Sequence, residues 1–246
     1  MKVSTRPTLT VILPTYNEKD SIAACITAFA AMPEVDEVLV INNNAALGTS
    51  QEVAKTTARE VHETRQGYGA AIQRGLREAS TDLIVVCEPD GTFDPSDLRK
   101  LLAFVPECGF VVGSRTVTDF IWDGANMGRF LKWGNWAVAK WVEALYNTTS
   151  LSDVGCTFRV MTRAHADHLL EHSTLDGSAY GLEMLLLTAK SRTKMVQIPV
   201  NYHPRVGESS VTGDLSKTIL LGMEMVALSA SMRLKEPRRQ KRRQSS

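Results

Sequence analysis

The sequence predicts an α/β fold, a mostly parallel sheet with helices on both faces. Three observations predict it. The first half of the chain alternates short apolar runs with helical patterns, the signature of strand–helix–strand units. The run Leu83–Cys87 carries no charge, as expected of a strand buried on both faces. The chain has 246 residues, 43% hydrophobic and 22% charged, enough for one large domain with a substantial core.

The elements follow in order. Leu9–Leu13 reads as the first strand. Asp20 or Ser21 can cap a helix running to about residue 31, stopped before Pro33. Glu37–Ile41 is a second strand and ends in Asn42, Asn43 and Asn44. Thr49 or Ser50 can cap a helix to about residue 59. A short strand near Glu60–Glu63 leads through Arg65–Ala71 into a helix ending near Ala79. Leu83–Cys87 comes next, then a helix opened by Pro95 or Ser96, then a strand over Gly109–Gly113. The last long element is a helix over 216–232, amphipathic or packed on the domain. The predicted organisation is a domain over 1–215, this helix, and a basic, disordered tail over 233–246.

The strand Leu83–Cys87 ends in Glu88-Pro89-Asp90-Gly91. In extended backbone, positions i and i+2 project to one side, so Glu88 and Asp90 can meet. Two hard oxygen ligands suit Mg²⁺ or Mn²⁺ that is also gripped by substrate phosphates. The carboxyl end of a strand in an open α/β sheet is where ligands bind. Gly67 and Gly69, at the mouth of a helix, allow either backbone approach to a phosphate or close packing of the loop. Their spacing is not that of a dinucleotide fingerprint, and no phosphate loop of nucleoside triphosphatases is present.

Pro14-Thr15-Tyr16-Asn17-Glu18, the polar run after the second strand, Arg65–Ala71 and Glu88–Gly91 resemble the ordered landmarks of family 2 glycosyltransferases of the GT-A fold. Each is weakly specific alone; four in the right order make coincidence improbable. The resemblance implies that Pro14, Tyr16, Glu18, Asn42, Asn43, Gly67, Glu88, Pro89 and Asp90 line the nucleotide-sugar site, with Glu88 and Asp90 on the metal. The second half is similar to polyprenyl-phosphate sugar transferases, including dolichol-phosphate mannose synthases. That likeness rests on Gly113–Arg115, Asn126–Arg129, Asp153–Arg159 and Tyr202–Ser210. By it, Arg115, Arg129 and Lys132 face a lipid phosphate, Arg205 and Ser209 face the departing diphosphate or the acceptor, and the anomeric configuration inverts.

The chain departs from the family pattern at three places. Asn42–Asn44 stand where aspartates are usual; an amide offers a donor and an acceptor, which suits uracil better than guanine and favours a UDP-sugar over GDP-mannose. Glu88 replaces the commoner Asp, and Ser210 stands where Lys is frequent. A phosphate acceptor is already anionic and needs no strong base. A glycan hydroxyl acceptor needs one, and Asp153 and Glu183 are then the candidates. Asp90, Asp153 and Arg205 are thus the candidate catalytic residues. The rival classes are a transferase acting on a glycan hydroxyl and a non-catalytic nucleotide-binding relative.

Charge is asymmetric. Residues 233–246 hold seven basic groups and one acidic group, leaving residues 1–232 at −5. Such a tail suits an anionic membrane surface better than nucleic acid, since nothing else in the chain suggests base readout. Trp122, Trp133, Trp136 and Trp141 fall in one short segment, as a membrane-edge cluster or an acceptor-side lid. No apolar stretch reaches the length of a membrane span, and no secretion signal is evident. The expected location is cytoplasmic, peripheral on a membrane, with any anchor supplied by a separate membrane subunit. The four cysteines form no Cys-x-x-Cys pair and are expected to be reduced.

Overall fold

The computed structural model describes residues 6–125, 128–206 and 215–234. Seven strands form one sheet: β1 (Leu9–Thr15), β2 (Glu37–Asn42), β3 (Arg59–His62), β4 (Leu83–Val86), β5 (Phe110–Ser114), β6 (Arg159–Thr162) and β7 (Met195–Pro199). The helices are α1 (Lys19–Ala30), α2 (Thr49–Val53), α3 (Tyr68–Glu78), α4 (Leu98–Leu102), α5 (Arg129–Tyr146), α6 (Arg163–His172), α7 (Tyr180–Ser191) and α8 (Leu215–Leu234). The spatial order is β3-β2-β1-β4-β6-β5-β7. Only β6 runs antiparallel to its neighbours.

The core follows from the sequence pattern. β1 and β4 are buried along their whole length, as their uncharged faces require. Helix α3 lies on β1 and β2 and joins α6 and α7 in one layer; α1 and α2 pack together in the other. The approach of α3 is close because Gly75 has no side chain: a Cβ there would stand 2.5 Å from Ile12 Cγ2. Helices α5 and α8 pack on one another and on α7.

Three local expectations change. Neither Asp20 nor Ser21 caps α1; Glu18 holds the N-cap position, and its carboxylate turns back to the loop instead. Helix α2 starts after Gly48, in the left-handed region at φ 94°, and ends at Val53, well short of residue 59. Its Ser50 side chain is spent on Glu60 rather than on a cap. Pro95 opens a single 3-10 turn, capped by Asp94 accepting from the Ser96 N–H, and α4 follows it.

β1 has β2 on one side and β4 on the other. The chain therefore reverses its winding direction between β1 and β4. Outside the carboxyl ends of those two strands lies the crevice where open α/β sheets bind ligands.

Candidate active site

The loops that leave β1, β4 and β7 converge on that crevice. After β1, the Glu18 carboxylate accepts from the backbone N–H groups of Tyr16 and Asn17 at 2.7 and 2.9 Å. This fixes the loop and leaves the Tyr16 side chain exposed. The other Glu18 oxygen accepts from Arg205 Nη2 at 3.0 Å. Arg205 Nη1 stands 3.5 Å from Asp90 Oδ2, so one guanidinium spans carboxylates from two loops.

Strand β4 ends at Val86, so strand alternation does not present Glu88 and Asp90. A turn does. Asp90 Oδ1 accepts from the Thr92 N–H at 3.0 Å and its hydroxyl at 2.6 Å, and Gly91 takes φ 79°. Val206 N–H closes on Asp90 O at 2.9 Å and ties the β7 loop to this turn. Ser21 donates to Pro89 O at 2.6 Å and ties the turn to α1. Thr92 is a site residue that sequence reading missed; the Asp-Gly-Thr run was its signal.

Glu88 is half-buried, and no hydrogen bond or ion pair holds its side chain among the described residues. Burial first, and the Asp90 charge second, push its pKa up to about 7; Arg205 and Arg115 pull the other way. With its side chain unpartnered beside Asp90 among the described residues, Glu88 together with Asp90 fits a divalent ion in donor chemistry, both being hard oxygen ligands. No group of three His, Cys, Asp or Glu side chains suited to a metal exists among the described residues.

Asp153 is placed differently from a base. It is wholly buried and pairs with Arg115 through two bonds, Nε–Oδ2 at 2.8 Å and Nη2–Oδ1 at 2.9 Å. It also accepts from the Arg115 and Gly155 backbone N–H groups. Burial opposes its ionisation, but the Arg115 charge and these hydrogen bonds outweigh burial and hold its pKa low. Glu183, also wholly buried, accepts from the Thr174 N–H and hydroxyl and the Leu175 N–H, and so braces the loop before α7. Arg115 is correspondingly committed to Asp153, with its guanidinium 5.4 Å from the centre of the Tyr202 ring. It lends charge to the crevice rather than a free fork.

The asparagines also depart from expectation. Asn42 donates to Ser50 and Glu60 and accepts from the Ala45 N–H. Asn43 donates to Glu63 O and Arg65 O and accepts from the Gly67 N–H. Both amides brace loops, so neither is free to read a base. Gly67 and Gly69 serve packing. A Cβ on Gly67 would stand 2.3 Å from Asp176 O, and one on Gly69 would stand 2.6 Å from the Tyr180 Cβ. Pro14 is buried within β1 beside Ile41. Lys132 donates to Thr118 Oγ1 at 2.6 Å. Ser209, Ser210, the Arg129 side chain and the tail beyond Leu234 lie outside the described residues.

Two cavities of about 380 Å³ each lie away from this crevice, one among Cys108, Asn147 and Lys194, the other among Leu76, Arg163 and Leu170. All four cysteines are free. No helix among the described residues is long and apolar enough to cross a membrane.

Comparison with known proteins gives the same fold. Glucosyl-3-phosphoglycerate synthase of Mycobacterium tuberculosis, solved with Mn²⁺, UDP and phosphoglyceric acid, superposes with a TM-score of 0.70 at 17% identity, over 94% of this chain and 80% of that one. An uncharacterised glycosyltransferase of Mycobacterium tuberculosis is 32% identical over 217 residues, 86% of this chain and 93% of its own. The undecaprenyl-phosphate mannosyltransferase of Micrococcus luteus is 29% identical over 223 residues, 83% of this chain and 87% of its own. The dolichyl-phosphate hexose transferase of Haloferax volcanii is 23% identical over 203 residues, 82% and 86%. The family model described as glycosyl transferase family 2 matches residues 10–170, which carry every carboxylate discussed above except Glu183. With its GT-A sheet and the acidic turn after β4, this chain is a glycosyltransferase and belongs to glycosyl transferase family 2.

Proposed function

We propose that this enzyme moves a hexose from a nucleotide-diphosphate sugar to a polyprenyl or dolichyl phosphate, with Mg²⁺ or Mn²⁺ as cofactor. The observation that carries the reading is the Glu88–Asp90 pair facing Arg205 at the β1/β4 crevice. Glu88 and Asp90 would hold the metal, which supplies Lewis-acid stabilisation of the departing diphosphate when bound. Arg205 adds a guanidinium matched to phosphate oxygens. Tyr16 offers an exposed ring to the nucleoside.

The acceptor class rests on two supports. The relatives from Micrococcus luteus and Haloferax volcanii act, by name, on lipid phosphates. The candidate bases Asp153 and Glu183 are both buried, and hydrogen bonds engage both oxygens of each. A hydroxyl acceptor would need a base to remove its proton; a phosphate oxygen attacks the anomeric carbon as it stands. The new bond forms from acceptor phosphate oxygen to anomeric carbon, and the bond to the diphosphate breaks. Arg129 and Lys132 are the proposed cations for the acceptor.

The amide argument for a UDP-sugar narrows to Asn44, because Asn42 and Asn43 are spent on loops, whereas Asn44 is exposed and donates to Thr64 O and Gln66 Oε1. Donor identity is a matter for experiment. Thermal unfolding with UDP, GDP, CDP and dTDP, each with Mn²⁺ and with EDTA, selects the donor by mass action. Transfer from that donor's sugar conjugate to polyprenyl phosphate is the expected result. Metal-dependent nucleotide binding combined with transfer to a glycan hydroxyl, and none to the lipid phosphate, would overturn the acceptor assignment.

A further inference from the structure

The outer face of α5 is unusual for a soluble surface. Trp133 is 66% exposed and Trp136 43%, with Gly134 and Ala137 beside them on the same stretch of helix. The two indoles lie edge to face at 5.5 Å. Lys140 and Glu143, half-buried and paired with each other at 2.6 Å, follow one and two turns beyond Trp136 on the same stripe, and none of the exposed residues between Trp133 and Ala144 carries a charge.

Helix α8 packs beside α5. Trp141 Nε1 donates to Ser229 Oγ at 3.0 Å and Arg233 Nε to Leu145 O at 3.2 Å. Both pairs are 88 residues apart, so the helices run parallel in constant register. Carried eight residues back, about 12 Å at 1.5 Å per residue, the same register sets Trp133 level with Leu221. Leu220, Leu221 and Met223 are exposed there, Met223 by 58%. The first turns of α5 adjoin the crevice: Lys132 reaches Thr118, and Asn135 and Arg115 flank Gly155.

We propose that this face, Trp133 and Trp136 of α5 with Leu220, Leu221 and Met223 of α8, docks on an anionic bilayer surface and brings the crevice to a lipid-borne acceptor. The proposal rests on the lipid-phosphate reading for its purpose, but its test does not use turnover. Indoles favour the boundary between headgroups and acyl chains. The basic end of the chain favours an anionic bilayer. The twelve residues after Leu234 hold six basic groups and one acidic group, against a net charge of −4 for residues 1–234, and basic groups clustered beside an apolar face are drawn to anionic headgroups. Glu224 is the one carboxylate on α8, exposed beside Met223, and it opposes docking.

The experiment is flotation of the full chain with vesicles of phosphatidylcholine and phosphatidylglycerol, against phosphatidylcholine alone. Binding to the anionic vesicles is expected. Trp133→Ser with Trp136→Ser should weaken it by at least about tenfold, and Glu224→Gln should strengthen it. Melting temperature and metal-dependent nucleotide stabilisation should match the parent in both variants. That match separates failure of this proposal from failure of the transferase reading. Equal binding by parent and double-tryptophan variant overturns the proposal, as does an absence of binding by the parent. Reversible dimerisation lost in the double variant would assign the face to a second copy and overturn it too.

Discussion

Replacing Asp153 with Asn tests whether that carboxylate is an anchor or a base. The change preserves shape but removes a wholly buried charge that faces the Arg115 guanidinium through two bonds of 2.8 and 2.9 Å. It also turns one acceptor into a donor, opposite a group that can only donate. Breaking a buried pair from one side costs about 3–5 kcal/mol, because the surviving charge stays buried and unmatched. For a chain of this length, 1 kcal/mol moves Tm by about 2–4 °C, so a fall of roughly 6–20 °C is expected. Removing both charges, Asp153→Asn with Arg115→Met, should recover part of the loss. The pH dependence has a definite sign. The folded pKa of Asp153 lies below its unfolded value, so its contribution is complete above the unfolded pKa and is lost as pH falls through the folded one. Parent and Asp153→Asn should therefore converge in stability in acid. Urea unfolding across pH measures this directly. An Asp153→Asn protein that melts like the parent and yet does not turn over would refute the anchor assignment and restore the base.

Four other variants test the geometry. Without metal, Glu88→Gln should gain about 1–2 kcal/mol over the parent at pH 8 and nothing near pH 4, since the raised folded pKa costs the parent stability as pH climbs from the unfolded value to about 7; the figure allows for solvent at this half-buried group, and chemical denaturation with EDTA reads it. The same variant should lose the Mn²⁺-dependent part of nucleotide stabilisation. Arg205→Met should lower kcat by about 10²–10³ with little change in Tm, because the guanidinium is partly solvated and, in the proposed function, acts on the leaving diphosphate; a fall in Tm alone would count against it. Asn43→Ala should destabilise the chain and leave the preference among nucleotides unchanged, which competition binding would show. Gly67→Ala should cost about 1–3 kcal/mol from backbone strain alone at φ 146°, with the Asp176 carbonyl adding to it, as measured in urea.

Much of the fold is written locally. β1 and β4 are uncharged runs and β2 carries a charge only at its first residue, Glu37; all three are closed by polar loops, and their burial leaves little choice of structure. The acidic turn after β4 is equally visible, as Glu88-Pro89-Asp90-Gly91. What is hidden depends on partners far along the chain. Arg159–Thr162 becomes a central antiparallel strand only because β4 and β5 each lack a neighbour on that side. The spent amides of Asn42 and Asn43 depend on Glu60, Glu63 and Arg65, which sequence spacing does not bring to them. Asp153 looks like a base until Arg115 is found against both of its oxygens. Residue chemistry identifies what a side chain can do, and the neighbours decide whether it remains free to do it.

The position of β6 has a consequence for how the protein is made. Leu83 pairs with Thr162 and Val86 with Arg159, so one edge of the apolar strand β4 is completed by a segment made much later. β1, already synthesised, covers only the other edge. At translation rates of about 5–20 residues per second, the roughly 75 residues in between take about 4–15 s to emerge. For that interval Leu-Ile-Val-Val offers open backbone to any other strand. Nascent chains halted before Arg159 are therefore expected to depend on chaperones, and chains released after Thr162 to depend on them far less. Equal chaperone capture at both lengths, measured on stalled ribosomes, would contradict this.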